Sequence, residues 1–384
     1  MYQFSAPMPY NKEDIDKLLT INNQVEKCEI TSLYASLPSN CTLFTGFEQA
    51  RNIQSGKQNF DYWKNLFSYT LENNLDFIYL LNSPIPFDLN NDDFEKMLDK
   101  LDKLLNELSN MGIKKIRVAN PQLISYLWKN YNKFDIFAST SLEYKHISEY
   151  QNLILMHPEI KQIVPSHDIN KNFKILKNLK KDYPNVEIEI MVNEGCIQGC
   201  PHRNLHAGAS IDKLITYKDN LALSTKYYTL YCSYILKKYP FLCLTLNNNI
   251  YPWELKEYAK IGINKFKLVG RDGYTFGFES YLNDFLLYFK GAENIKNVEE
   301  VSITTFIHHL QTSKELFQLK TKDIHSILPN INHFKKYGHL CASRCGVQCR
   351  YCYKCAEKIQ KVFEKKATEK EKIPKYVSAC KITT

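Results

Sequence analysis

Two hydrophobic periods take turns along this chain, one of about two residues and one of about 3.6. Residues 2–7 read as a short first strand, and residues 12–21 place apolar side chains at helical spacing. Residues 25–31 alternate as a second strand, and residues 60–73 return to the helical period. A third strand is predicted at 75–81, ending in the turn signal Asn82-Ser83-Pro84. The clearest helix runs over 92–111, with Phe94, Met97, Leu98, Leu101, Leu104, Leu105 and Leu108 on one face and Gly112 as its stop. Strand four follows at 113–118. Then come a helix at 121–130, a strand at 134–138, a helix at 148–157, a strand at 162–165 and a basic helix at 171–181. Strand seven begins at Val186, becomes continuously apolar toward Val192, and ends at Glu194-Gly195. Residues 242–246 read as a short extra strand, 253–260 as a helix, 263–270 as strand eight and 281–290 as a closing helix.

Eight strands alternating with helices predict an α/β fold, a (β/α)8 TIM-like barrel with a C-terminal helical, cysteine-rich extension. The barrel is expected over residues 1–290, with an insertion at 207–240, and the extension over 291–384. An open doubly wound sheet would want a Gly-rich phosphate loop after strand one, and the sequence has none.

Composition narrows the class. With 44% hydrophobic and 24% charged residues, the chain is a folded protein rather than a disordered one. The net charge of +9 is moderate and its lysines are interleaved with acids, as in 364–372, so it describes a solvated surface with weak attraction to RNA or an acidic peptide. No run approaches the ~20 apolar residues of a membrane span, and Met1–Pro7 is no signal peptide, so a cytoplasmic location is expected. In a reducing compartment, twelve cysteines call for a reason other than disulfides. Eight of them fall into two groups, which points to metal.

The first group is Cys196 and Cys200 on the loop after strand seven, with Cys232 in the insertion. Thiolates behind a barrel strand make a soft-ligand site on the face where such barrels keep their chemistry. The second group is Cys341, Cys345, Cys349, Cys352 and Cys355. Cys-x2-Cys-x2-Cys lets a short loop wrap an iron–sulfur cubane, whereas one structural zinc takes only four ligands. Eight thiolates are the complement of two [4Fe-4S] clusters. One would use Cys196, Cys200, Cys232 and Cys341, the other Cys345, Cys349, Cys352 and Cys355, with the roles of Cys341 and Cys345 open to exchange. Cys28 and Cys243 are expected as core inside apolar strands, Cys41 as a reserve ligand and Cys380 as a free thiol. Cys345-x3-Cys349-x2-Cys352 also matches the cluster motif of radical S-adenosylmethionine enzymes, although there the motif follows the first strand.

Two segments carry a family resemblance. The run from Trp253 to Arg271, with Gly262 and Gly270 at its turns, resembles the "DL…GI…KIEGR" segment of the peptidase U32 family, and the loop of Cys196 and Cys200 resembles that family's cysteine-bearing loop. Leu268-Val269 stands where Ile-Glu is usual, and the five-cysteine tail is not the usual continuation. The family is named for a collagenase-like protease activity. Its better understood members resemble iron–sulfur proteins of oxygen-independent hydroxylation, acting on ubiquinone precursors and on a tRNA uridine. The resemblance therefore implies a redox tailoring enzyme working anaerobically on a small molecule, a peptide or an RNA base. An electron donor such as ferredoxin and a homologous partner subunit are the expected partners.

Within that expectation Arg271, Arg203 and His202 position an anionic substrate, and Glu194 or His206 manages protons. The alternatives are a peptidase, for which no HExxH or GxSxG is present, and a non-catalytic binding protein with structural clusters. Asn82, Asn120, Ser139–Glu143, His167-Asp168 and Asp272 also sit at predicted strand ends; taken singly, each reads as a cap or a solvated loop residue.

Overall fold

Eight parallel strands hydrogen-bond in sequence order and close on themselves: β1 (Tyr2–Pro7), β2 (Cys28–Ala35), β3 (Asp76–Leu81), β4 (Lys115–Val118), β5 (Asp135–Ala138), β6 (Ile160–Ile163), β7 (Glu187–Met191) and β8 (Lys265–Lys267). The computed structural model describes residues 1–38, 41–48, 59–83, 91–203, 232–270, 278–307, 310, 313–341 and 348–369. Six helices return the chain along the outside between the first seven strands: α1 (Lys12–Leu19), α2 (Phe60–Glu72), α3 (Asn91–Asn110), α4 (Pro121–Asn130), α5 (Ile147–Met156) and α6 (Phe173–Asp182). The fold is the expected TIM barrel.

Local chemistry sets these helices. The side chain of Asn120 accepts from the amides of Gln122 and Leu123, and Pro121 takes the first helical position of α4, where a missing N–H costs nothing. Gly112 follows α3 at φ +82, the left-handed conformation that ends helices. The main core lies between strands and helices and includes Phe4, Trp63, Phe67, Leu104, Leu127, Leu176 and Phe266.

A second, small cluster of Tyr34, Ile78, Leu80 and Phe137 sits apart from it. Beside it Arg117 of β4 hydrogen-bonds Gln162 of β6 at 2.7 Å and Glu189 of β7 at 2.5 Å. Reaching past β5 in this way is possible only through the barrel interior. The inside of the barrel is therefore partly ionic.

The structure corrects one element. Residues 242–246 are not a strand but part of helix α7 (Pro240–Leu246), so Cys243 is buried on a helix. A short continuous apolar run does not distinguish strand from helix, and Pro240 at the first turn with Cys243 N–H on Tyr239 O at 3.0 Å decides it. Strand eight shrinks from 263–270 to Lys265–Lys267, and strand two moves from 25–31 to Cys28–Ala35. Of the insertion, residues 204–231 lie outside the described residues, and 232–238 are helical.

After α8 (Leu255–Ala259), β8 and α9 (Phe278–Glu293), the chain continues through the short α10 (Lys314–Phe317) and α11 (Thr321–Ile324) to α12 (Ile331–Tyr337) and α13 (Tyr351–Glu369). α12 packs on α6, and α13 packs on α7, where Phe241 and Phe363 meet with ring centroids 5.4 Å apart. Gly338 rests so closely on the start of α6 that a Cβ there would lie 2.4 Å from Lys171 O. The extension is thereby docked at the end of α6 that shares a face with the strand ends. Among the described residues no helix is long and apolar enough to cross a membrane.

Candidate functional site

The site is built where β5, β6 and β7 end. Beyond β7 the side chain of Asn193 accepts from Val269 N at 2.7 Å and donates to Val269 O at 3.1 Å, extending the tie to β8 past the last ladder bond. Glu194 comes next. Its Oε1 accepts the Cys196 amide at 2.9 Å, and its Oε2 lies 3.5 Å from His167 Nε2. His167 Nδ1 lies 3.7 Å from Glu143 Oε1, and the other oxygen of Glu143 accepts from Ser166 Oγ at 2.9 Å. A histidine from the loop after β6 thus stands between a carboxylate from the loop after β5 and another from the loop after β7. Burial and the Arg203 charge oppose protonation of His167, but the carboxylates of Glu143 and Glu194 outweigh them and raise it above the ordinary histidine value.

Asp168, the next residue, braces the cysteine loop. Its Oδ1 accepts from Gly199 N at 2.8 Å and lies 3.3 Å from Arg203 Nη2, while its backbone carbonyl accepts from Gln198 Nε2 at 2.8 Å. Lys145 adds a charge 3.6 Å from Oδ2. Gly199 has φ +66, a left-handed turn open to glycine at little cost. Arg203 also donates to Ile197 O at 2.5 Å, so one guanidinium holds both ends of the turn. Its Nε and Nη1 are buried and have no hydrogen-bond partner among the described residues.

On its other side the loop pairs with the segment after α7. Ile197 bridges Asn247, Gln198 N donates to Leu246 O at 2.8 Å, and Cys196 O accepts from Asn248 N at 3.0 Å and Asn248 Nδ2 at 3.2 Å. Withdrawal from water pushes the Cys196 thiol up; Arg203 pulls the other way, and Glu194, Cys200 and Cys232 push it further.

The tail cysteines begin across the same segment. Lys171, at the start of α6, donates to Asn247 O at 3.1 Å and lies 4.9 Å from the centre of the Phe334 ring. Burial lowers Lys171, against the opposing charges of Glu254, Cys352 and Cys341, so two of the tail thiols lie within its electrostatic reach. Glu254, buried near it, is pushed up to about 7 by burial, with Lys171 and the Tyr251 amide opposing. Cys341, Cys349 and Cys352 are half-buried and Cys355 is buried.

Of the sequence-predicted residues, the structure brings together Glu194, Arg203, Cys196 and Cys200 on one loop, with His202 half-buried just after Cys200, while Cys232 is exposed at the start of the helical segment 232–238. Cys349, Cys352 and Cys355 gather at the start of α13, with Cys341 preceding them. His206, Arg271 and Cys345 lie outside the described residues. Among the described residues no three His, Cys, Asp or Glu side chains converge on a single ion-sized point. Cys41 is buried in the main core, and burial raises its thiol. Glu143, His167 and Asp168 stand out in the sequence only as polar residues at strand ends, directly after strands five and six, and taken singly each reads as a cap.

No family model matches the chain. It is 22% identical over 371 residues to the uncharacterized protease MJ1657 of Methanocaldococcus jannaschii, an alignment covering 94% of this chain and 99% of that one. Among solved structures, the U32 peptidase Mk0906 is similar at a TM-score of 0.42 and 12% identity, over 56% of this chain and 77% of that one. N-acetylneuraminate lyase from Fusobacterium nucleatum is similar at 0.33 and 11%, over 62% and 84%. Fold and site define a (β/α)8 barrel with a cysteine-bearing loop after its seventh strand. Within that class, the full-length similarity to a relative named as a protease bears out the resemblance to the peptidase U32 family.

Proposed function

We propose that this protein is an iron–sulfur redox tailoring enzyme, carrying out oxygen-independent hydroxylation or a related modification of a small molecule, a peptide or an RNA base. The observation that carries the reading is the position of Glu194, whose one carboxylate holds the Cys196 amide and faces His167. A proton-handling pair is thereby fixed to the same turn as two soft metal ligands. The donors fit such a group in kind. Cys196 and Cys200 lie on one turn as soft donors, and Arg203, whose Nε and Nη1 have no hydrogen-bond partner among the described residues, spans the same turn.

Cys196, Cys200 and Cys232 with Cys341 would hold one [4Fe-4S] group, and Cys345, Cys349, Cys352 and Cys355 a second; hydroxylation with an oxygen atom from water removes two electrons and two protons from the substrate, and a redox partner of the ferredoxin class would take up the electrons. Bound at the mouth, the group would supply one-electron transfer. His167 would hold a proton at Nε2 toward Glu194, with Glu143 steadying Nδ1. Arg203 would favour an anionic part of the substrate by its charge, with His202, His206 and Arg271 to hold it.

The protease name of the relative favours a second reading, hydrolysis by a Cys196 nucleophile. Both nitrogens of His167 already face carboxylates, an arrangement better suited to a proton carrier than to the base of a cysteine nucleophile. The test is an anaerobic comparison of cells carrying the parent protein, Glu194→Gln or Cys196→Ala, profiling nucleosides, small metabolites and peptides by mass spectrometry. A product carrying one added oxygen should vanish in both variants. Unchanged products in both would remove the enzyme reading, and peptide cleavage that survives stripping of metal would favour the peptidase.

A further inference from the structure

The outer surface of the barrel changes character between α3 and α6. α3 carries nine charged residues in twenty and α6 five in ten. α4 and α5, which lie between them, carry one each, Lys129 and Glu149. The Glu149 carboxylate already accepts from the amides of Lys145 and His146, at 2.6 and 2.7 Å. On a chain of which 24% is charged, two neighbouring helices are thus nearly bare of charge.

Large apolar side chains stand on the same helices. Trp128 is 52% exposed in the last turn of α4, and Leu155 and Met156 are each 71% exposed in the last turn of α5. They are surplus to the core, because α4 already turns Leu123, Ile124 and Leu127 inward and α5 turns Tyr150, Leu153 and Ile154 inward. Right-handed crossovers in a closed parallel barrel put the two helices side by side, and both end at the level where the strands begin. Few charges with Trp and Met brought forward is the make-up of the centre of a protein interface.

The remaining described surface offers no second patch of this kind. Its other large exposed apolar side chains, Met1, Tyr234, Phe317 and Tyr337, stand singly on separate stretches, and lysines lie over the rings of Tyr234 and Tyr337. The match for this patch on the molecule is therefore the same patch on another copy, the self-complementary contact that a two-fold axis makes. Charge points the same way: at +9 each, two copies repel least across a face without charges. A nucleic acid or an acidic peptide would find only Lys129 to pair with.

We propose that two copies of this chain associate through α4 and α5 about a two-fold axis. Two ten-residue helices, about 15 Å long and about 10 Å apart, offer a face on the order of 300 Å². A standard interface uses ~800 Å² per partner, so the dimer is weak and forms with concentration. Glu143 and His167 lie at the other end of the barrel, so both mouths stay open. Nothing in this contact depends on metal.

The experiment is sedimentation velocity of the full chain across the micromolar range, as parent, Trp128→Asp, Leu155→Asp and, as a control on a distant exposed side chain, Phe317→Asp. The parent's mass should rise with concentration from one chain toward two, and Phe317→Asp should follow it. Trp128→Asp and Leu155→Asp should stay at one chain with unchanged thermal melting. Should either variant fail to fold, amide exchange of the parent decides, with protection at high concentration expected over α4 and α5. A parent that is monomeric throughout overturns the proposal, as does a dimer that survives both substitutions or is protected elsewhere. A parent monomeric alone but protected over α4 and α5 in cells assigns the face to a different protein and overturns it too.

Discussion

Glu194 faces His167 from the neighbouring loop at the mouth of the barrel, carboxylate oxygen to Nε2 at 3.5 Å. The two residues come from the loops after β6 and β7 and meet because those strands are hydrogen-bonded neighbours. With Glu143 on the opposite nitrogen and the Arg203 charge nearby, the histidine's proton affinity is a property of the assembled site.

A pH dependence follows from the raised value of His167. A group whose folded-state pKa lies above its unfolded value of about 6.5 stabilises the fold fully below that value. The contribution is lost as pH climbs through the raised value. Urea unfolding between pH 6 and 9 should show this loss in the parent, and His167→Gln should flatten it. A parent whose stability rises over that interval would contradict the assignment.

Asp168 is the brace of the cysteine loop. Asp168→Ala leaves the buried Arg203 guanidinium without its carboxylate and frees the Gly199 amide. The expected loss is about 3 kcal/mol, the cost of breaking a buried ion pair from one side. Chemical denaturation measures it, and an Asp168→Asn variant that keeps the acceptor should lose less.

The pair Arg117–Glu189 makes a contrasting case, because it is buried inside the barrel. Removing one partner, as in Glu189→Ala, should cost about 3–5 kcal/mol. Replacing both with apolar residues of similar volume, Arg117→Met with Glu189→Leu, should be near neutral. A double variant as unstable as the single one would show that the charges do more than fill the barrel.

Docking of the extension depends on Gly338. A methyl group there would meet Lys171 O at 2.4 Å, backbone that cannot give way locally. Gly338→Ala should cost about 1–3 kcal/mol and loosen α12 and α13 from α6 and α7. Faster amide exchange over Tyr351–Glu369, with the barrel strands unchanged, is the expected signature. Equal exchange in both proteins would mean that the extension is held elsewhere.

How much of this was legible in the sequence varies with the distance over which each feature is decided. The helix at 121–130 was readable to the residue, because Asn120 and Pro121 announce its start locally. The run 242–246 was not, because five apolar residues suit either backbone and the decision came from Pro240 and the packing of α13. Glu194, Arg203 and the cysteines could be nominated from their loop. Glu143, His167 and Asp168 could not, since each resembles an ordinary cap until three loops meet.

The central claim, that the two cysteine groups hold iron–sulfur clusters beside this proton-handling pair, is tested most directly by iron and acid-labile sulfide content. Protein purified without oxygen should contain about eight of each per chain, the sum over two cubanes. Cys196→Ala and Cys352→Ala should each lose one cluster and keep the other. Zinc in place of iron, or neither metal in the parent, would contradict the account.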